Sequence, residues 1–200
     1  LIMTKIIILP FLCLLVSISA APTREAFALE ERSITGVPID AFELGDANLT
    51  IELWARSPMI FSPVAMDFDA QGRLWATEGI DYQRGMRVKE GRSIIVLEDK
   101  DWDGKADSSH VFVTEKEIRH AALGIAVFDN RIVLSSTPSI IVYTDVNRNA
   151  VFDEGVDKRE VFLTGFRDAS HDHTLHAVVG APSGQWHFSY GNRGADIKTK

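Results

Sequence analysis

Two stretches of this 200-residue chain carry side chains of kinds that do chemistry in company. The first is Asp99-Lys100-Asp101-Trp102-Asp103-Gly104-Lys105-Ala106-Asp107. Carboxylates stand at positions 1, 3, 5 and 9 with glycine at 6, which is the front half of an EF-hand loop. Alternate side chains point inward while Gly104 takes the sharp turn, so Asp99, Asp101, Asp103 and Asp107 offer oxygens to one hard cation. Position 12 is His110, where a full EF-hand has a bidentate glutamate. Asp145, Asn147, Asn149 and Asp153 repeat the spacing, with Ala150 in the glycine place and two amides for carboxylates. Calcium is expected at the first loop and more weakly at the second. The competing reading of both is an Asx-rich hairpin turn without metal.

The second stretch is Ser170-His171-Asp172-His173-Thr174-Leu175-His176, which holds three of the six histidines. A neutral imidazole beside a carboxylate accepts a proton near neutral pH, and Asp172 with His173 is such a pair. A zinc site from His171, His173 and His176 is a rival; in a strand the first two share a side and the third points away. A hydrogen-bonded plug of histidines is another. His187 alternates with apolar neighbours and reads as structural.

The elements that must position these residues are strands. Short apolar or alternating runs recur between turn residues from Thr50 onward, with no helical stripe. One set comprises Val64–Phe68, Leu74–Thr77, Ile94–Leu97 and Ser109–Thr114. A second comprises Leu123–Phe128, Ile132–Ser135, Ile140–Thr144 and Arg159–Thr164. A third begins with Leu175–Gly180 and Trp186–Tyr190. Four-strand sets recurring at a period of about 55 residues are the pattern of β-propeller blades with long loops. An evenly stranded β-sandwich is the alternative. The expected fold is therefore all-β: the first blades of a propeller, at about 63–114, 122–164 and, incomplete, 174–200. Thr50–Trp54 is a candidate outer strand. Alternate loops of an antiparallel blade emerge on opposite sides. The acidic loops thus share one face, and the histidine segment, His120, the loop Glu78–Arg92 and Asn192-Arg193-Gly194 share the other.

Around that core the chain reads simply. Lys5, the apolar run Ile6–Val16 and the small residues Ser17, Ser19, Ala20 and Ala21 make residues 1–21 a secretory signal peptide. The run is too short for a membrane span, although an uncleaved anchor is the alternative. Residues 22–49 read as a leader, and 50–200 as a partial propeller. The one Cys, Cys13, falls in the signal, so no disulfide is expected. With 21 basic and 28 acidic residues the net charge is −7, which disfavours a nucleic-acid partner.

The run from Asp172 through Gly194, with Ala181-Pro182-Ser183-Gly184 as its turn and Trp186–Tyr190 as its aromatic strand, resembles the histidine segment of soluble glucose/sorbosone-type quinoprotein dehydrogenases. Leu74-Trp75-Ala76-Thr77-Glu78 is similar to their first-blade strand. The paired Asp loops, the His-Asp-His joint and Leu175-His176-Ala177-Val178 make the chain look closer still to the secreted or membrane-bound dehydrogenases of planctomycete-type bacteria. That likeness covers about residues 50–194. It implies oxidation of a sugar or alcohol, with His173 as the catalytic base supported by Asp172. Pyrroloquinoline quinone would be held near His171, His176 and Arg193, Ca²⁺ would polarise it, and a c-type cytochrome would accept electrons. Asn192 stands where the family has an aspartate, which removes one charge beside the base. The residues that grip the quinone carboxylates lie in later blades of the family, so this stretch by itself is expected to be inactive. A non-catalytic calcium-stapled binding scaffold is the alternative. A lactonase is another, with Glu78 and Asn192 as metal ligands.

Overall fold

The computed structural model describes residues 42–79, 91–118, 121–167, 174–192 and 194–199. The sequence features at 1–41, the loop 80–90, His120, the segment 168–173 with His171, Asp172 and His173, and Arg193 lie outside them. Among the described residues there are eleven strands and no helix. They are β1 (Pro63–Phe68), β2 (Leu74–Glu78), β3 (Arg92–Glu98), β4 (Ser108–Glu115), β5 (Gly124–Phe128), β6 (Arg131–Ser136), β7 (Ser139–Thr144), β8 (Lys158–Phe166), β9 (Leu175–Gly180), β10 (Trp186–Tyr190) and β11 (Ala195–Thr199). Every described pairing is antiparallel. No described helix is long and apolar enough to cross a membrane.

The strands form one sheet in the order β1-β2-β3-β4, a second in the order β11-β8-β7-β6-β5, and the pair β10-β9. The two four-strand meanders expected from the sequence are both present. The third set departs from expectation, because β11 leaves β10 and pairs instead with the outer edge of β8. Gly165 permits that docking: its φ is +100°, and a Cβ there would fall on the Asp196 carbonyl oxygen. Thr50–Trp54 forms no ladder; Trp54 contributes its carbonyl, which accepts from Ala106 N at 2.8 Å.

The strand periodicity of two decides which side chain meets which core. Trp75, Ile94, Val96 and Phe112 of the first sheet meet Ile125, Ile132, Leu134, Ile141 and Tyr143 of the second. The intervening residues Ala126, Val133, Ile140, Val142 and Phe166 face the opposite way, toward Leu175 and Val178. The central strands β6 and β7 of the second sheet are thus buried on both faces, which is why Ile132-Val133-Leu134 and Ile140-Ile141-Val142 read as unbroken apolar runs. Leu74, Ile95 and Leu97 turn to the outer side of the first sheet and pack with Trp54, Met59 and Ile60. Each fully buried Leu or Ile contributes about 1.5–3 kcal/mol to this stack. Strands β1, β5 and β9, one from each sheet, lie side by side, and Val127 N donates to Asp67 Oδ2 across the first of these contacts at 2.8 Å.

A polar clamp closes the other end of the seam. Arg159 Nε donates to Glu115 Oε2 at 2.7 Å, and the buried Tyr143 hydroxyl donates to the same oxygen. Burial alone would raise the Glu115 carboxyl; the bonds from Arg159, then Tyr143, outweigh it and hold the group below its ordinary 4.5. A depressed carboxylate stabilises the fold above its unfolded-state value, and that contribution fades as pH falls through the folded one. Glu115→Gln is therefore expected to lose about 1–3 kcal/mol at neutral pH. Its unfolding free energy should also decline less than that of the parent between about pH 5 and 3. Urea titrations across that range check this, and equal acid slopes in the two proteins would refute it.

Candidate functional site

The two acidic hairpins share one backbone. Trp102 and Gly104 have φ of +61° and +86°, and Arg148 and Ala150, at the corresponding positions, have +59° and +60°. Asp99 spreads its oxygens over Asp103 N and Gly104 N at 3.2 and 3.0 Å. Asp145 does the same with Asn149 N and Ala150 N at 3.2 and 2.9 Å. The sequence reading of a repeated loop is thus sound in backbone as well as spacing. Ala150 takes a glycine-type conformation that a side chain enters at a cost of about 1–2 kcal/mol; its methyl is buried in the seam between the sheets.

The loops then differ in what faces their carboxylates. In the first, ligand oxygens of Asp99, Asp101 and Asp107 lie within 4.8 Å of one another. Asp103, expected among them, falls outside that group; its Oδ1 accepts from Lys105 N at 2.9 Å. In the second loop, Asn147 Nδ2 and Asn149 Nδ2 both donate to Asp153 Oδ2 at 2.7 Å. Those bonds, Asn147 first and then Asn149, hold the Asp153 carboxyl below its ordinary 3.8. The Asp153 carboxylate is thus held by two amides of its own loop. Asp157, which the spacing did not single out, completes it by accepting from Val146 N and Asp153 N, both at 2.8 Å. His110, at position 12 of the first loop, points away from it. Its ring nitrogen lies 2.9 Å from the Ala150 carbonyl, so it joins one loop's strand to the other loop.

The histidine joint is described at its two ends. Thr174 O accepts from Gly191 N at 3.0 Å, and the Tyr190 hydroxyl lies 3.1 Å from Arg167 O and 2.7 Å from Gly194 O. The end of β10 therefore ties the residue before the joint, the residue after it and the turn that carries Asn192. Sequence reasoning placed the joint and the turn on one face but gave Tyr190 no part; a tyrosine ending an aromatic strand was the available signal. His176 follows on β9 with its side chain partly buried, and Asn192 is exposed. His187, expected to be structural, is exposed on β10. Glu78 is buried and its Oε1 accepts from Phe61 N at 2.8 Å, so this carboxylate already serves the backbone rather than an open ligand position.

Between the acidic loops lies a cavity of about 390 Å³. Its wall comes from the turns β1–β2, β3–β4, β5–β6 and β7–β8, all on the side opposite the joints between sheets.

A family model described as "Domain of unknown function (DUF7133)" matches residues 39–200. No curated protein matches the chain. Among solved structures, the iodide structure of a Trichoderma reesei carbohydrate-active enzyme of family AA12 is similar, with 17% identity and a TM-score of 0.46. The match covers 66% of this chain and 29% of that one, and it is too distant to bear on fold or activity.

The contrast between the loops is testable. Asn149→Asp replaces a donor to Asp153 by a second carboxylate. The variant is expected to unfold at lower urea than the parent at pH 7, with the gap narrowing below about pH 4 as the pair protonates. A gap that does not depend on pH would mean the amide bonds do not hold the loop.

Proposed function

We propose that this chain, which belongs to the DUF7133 family, is the N-terminal part of an exported β-propeller dehydrogenase that oxidises a sugar or alcohol. The observation that carries this reading is the tethering of both ends of the His171–His173 joint to the end of β10. It draws the approaches to the Asp172–His173 pair and the turn bearing Asn192 together. The side-by-side strands β1, β5 and β9 support the propeller, as the innermost strands of successive blades.

In this reading His173 accepts the substrate hydroxyl proton, Asp172 stabilises the imidazolium, and Asn192 donates or accepts hydrogen bonds near the base. Pyrroloquinoline quinone, when bound, supplies the two-electron acceptor, and a c-type cytochrome takes the electrons onward. Of the residues assigned to the quinone, His176 alone is described, and the other two, His171 and Arg193, are assigned by resemblance; no step is derived through the group. Calcium fits the first loop on donor chemistry, because Asp99, Asp101 and Asp107 offer hard oxygens only. It lies on the face away from the joint and acts there as a brace. That observation also favours the second reading, a calcium-braced binding scaffold without chemistry.

Dye reduction by the full-length protein, of which this chain is proposed to be the N-terminal part, supplied with the quinone, Ca²⁺ and a panel of sugars and alcohols separates the two. The dehydrogenase reading expects substrate-dependent reduction that falls about 10²–10⁴-fold in His173→Ala, with an unchanged melting curve. Neither dye reduction nor quinone binding would leave the scaffold. For the brace, Ca²⁺ is expected to raise the melting temperature of the parent and of Asp153→Asn but not of Asp101→Asn. An unmoved transition in the parent would remove calcium from the proposal.

A further inference from the structure

The cavity between the acidic loops has features that neither metal nor histidine chemistry uses. Trp102, at the tip of the first loop, is 73% exposed. It is nonetheless seated: a Cβ on Gly72, whose φ is +80°, would come within 2.6 Å of Trp102 Cη2. The indole therefore rests on the bare backbone of the β1–β2 turn, with much of its surface open to solvent beside the cavity. An exposed aromatic ring held in place loses little freedom when another flat surface covers it.

The cations around the ring are already matched, while Asp99 and Asp145 accept from backbone N–H groups. Arg148 forms a bidentate pair with Asp129, both bonds 2.6 Å. Arg73 Nε donates to Asp69 at 2.6 Å, and Lys100 Nζ lies 3.9 Å from Glu98. Each cation lining the cavity thus has an acid beside it, so an anion would have to displace a partner to gain one of its own. A neutral ligand with many hydroxyls has no such conflict. A hydroxyl both donates and accepts, so it can bond to carboxylate and guanidinium at once.

We propose that this cavity is a carbohydrate-binding subsite for a neutral pyranose. The sugar's C–H face stacks on Trp102 and its hydroxyls bond to the Arg148–Asp129 pair. The volume of about 390 Å³ lies within the range of small-ligand pockets. The subsite is on the face opposite the histidine joint and does not depend on the dehydrogenase reading; it would hold a glycan against the protein rather than transform it.

Calorimetric titration of the chain with glucose, galactose, maltose and cellobiose tests this. Saturable binding of at least one sugar is expected, with dissociation constants of about 0.1–10 mM. It should weaken about tenfold or more in Trp102→Ala and in Arg148→Ala and stay unchanged in His187→Ala. The Trp102 indole N–H resonance should shift with the same saturation curve, which keeps the test decisive if a variant folds poorly. Three outcomes would overturn the proposal: no saturation by any of the four sugars up to about 50 mM, equal affinity in a folded Trp102→Ala, or glucuronate bound about tenfold more tightly than glucose.

Discussion

The rest of the structure depends on one constraint, the burial of the second sheet's central strands, β6 and β7, on both of their faces. Ile132, Leu134, Ile141 and Tyr143 look to the first sheet, and Val133, Ile140 and Val142 look the other way. A one-residue slip in β6 or β7 would exchange the two sets. Tyr143 would then leave Glu115, and the β7–β8 loop would lose its register against β4. The cavity, the cross-sheet clamp and the spacing of the two acidic loops all inherit their geometry from that alternation.

The polar groups are arranged around the seam rather than in it. Asp69 takes Trp75 Nε1 at 2.8 Å and the Arg73 guanidinium at 2.6 Å, fixing the β1–β2 turn. Glu115 does comparable work among β4, β7 and β8. His110 reaches from β4 to the Ala150 carbonyl. Each is a hydrogen bond between groups that water no longer reaches well, so each costs more to break than it contributes when made. They give the sheets one relative placement where apolar packing alone would tolerate several.

Much of this was legible beforehand. The strand runs of the first two sets match the observed strands to within one or two residues, because alternation and turn residues are local signals. The equivalence of the two acidic loops was also visible in their spacing. What could not be read was the outcome of side-chain competition. Asp103 turns to a backbone amide of its own loop, and Asn147 and Asn149 turn to Asp153; both depend on distances that spacing does not encode. Tyr190 as a partner of Arg167, and β11 as a partner of β8, are contacts between residues 23 to 36 positions apart. The His171–His173 chemistry stays a reading of residue types, and the structure adds the anchoring of its two ends.

The placement of β11 has a practical consequence. Strand β8 runs from Lys158 to Phe166 and would otherwise end the second sheet with free backbone donors and acceptors. β11 covers the 163–166 end of that border through an approach that only a glycine at 165 allows. If β11 is cut away, or pushed off by a side chain at 165, the edge of β8 becomes a template for a strand from another molecule. Shortened versions of this chain would then be lost to edge-to-edge aggregation while their cores remained intact, and low solubility in such a fragment would report a missing neighbour rather than a failure to fold.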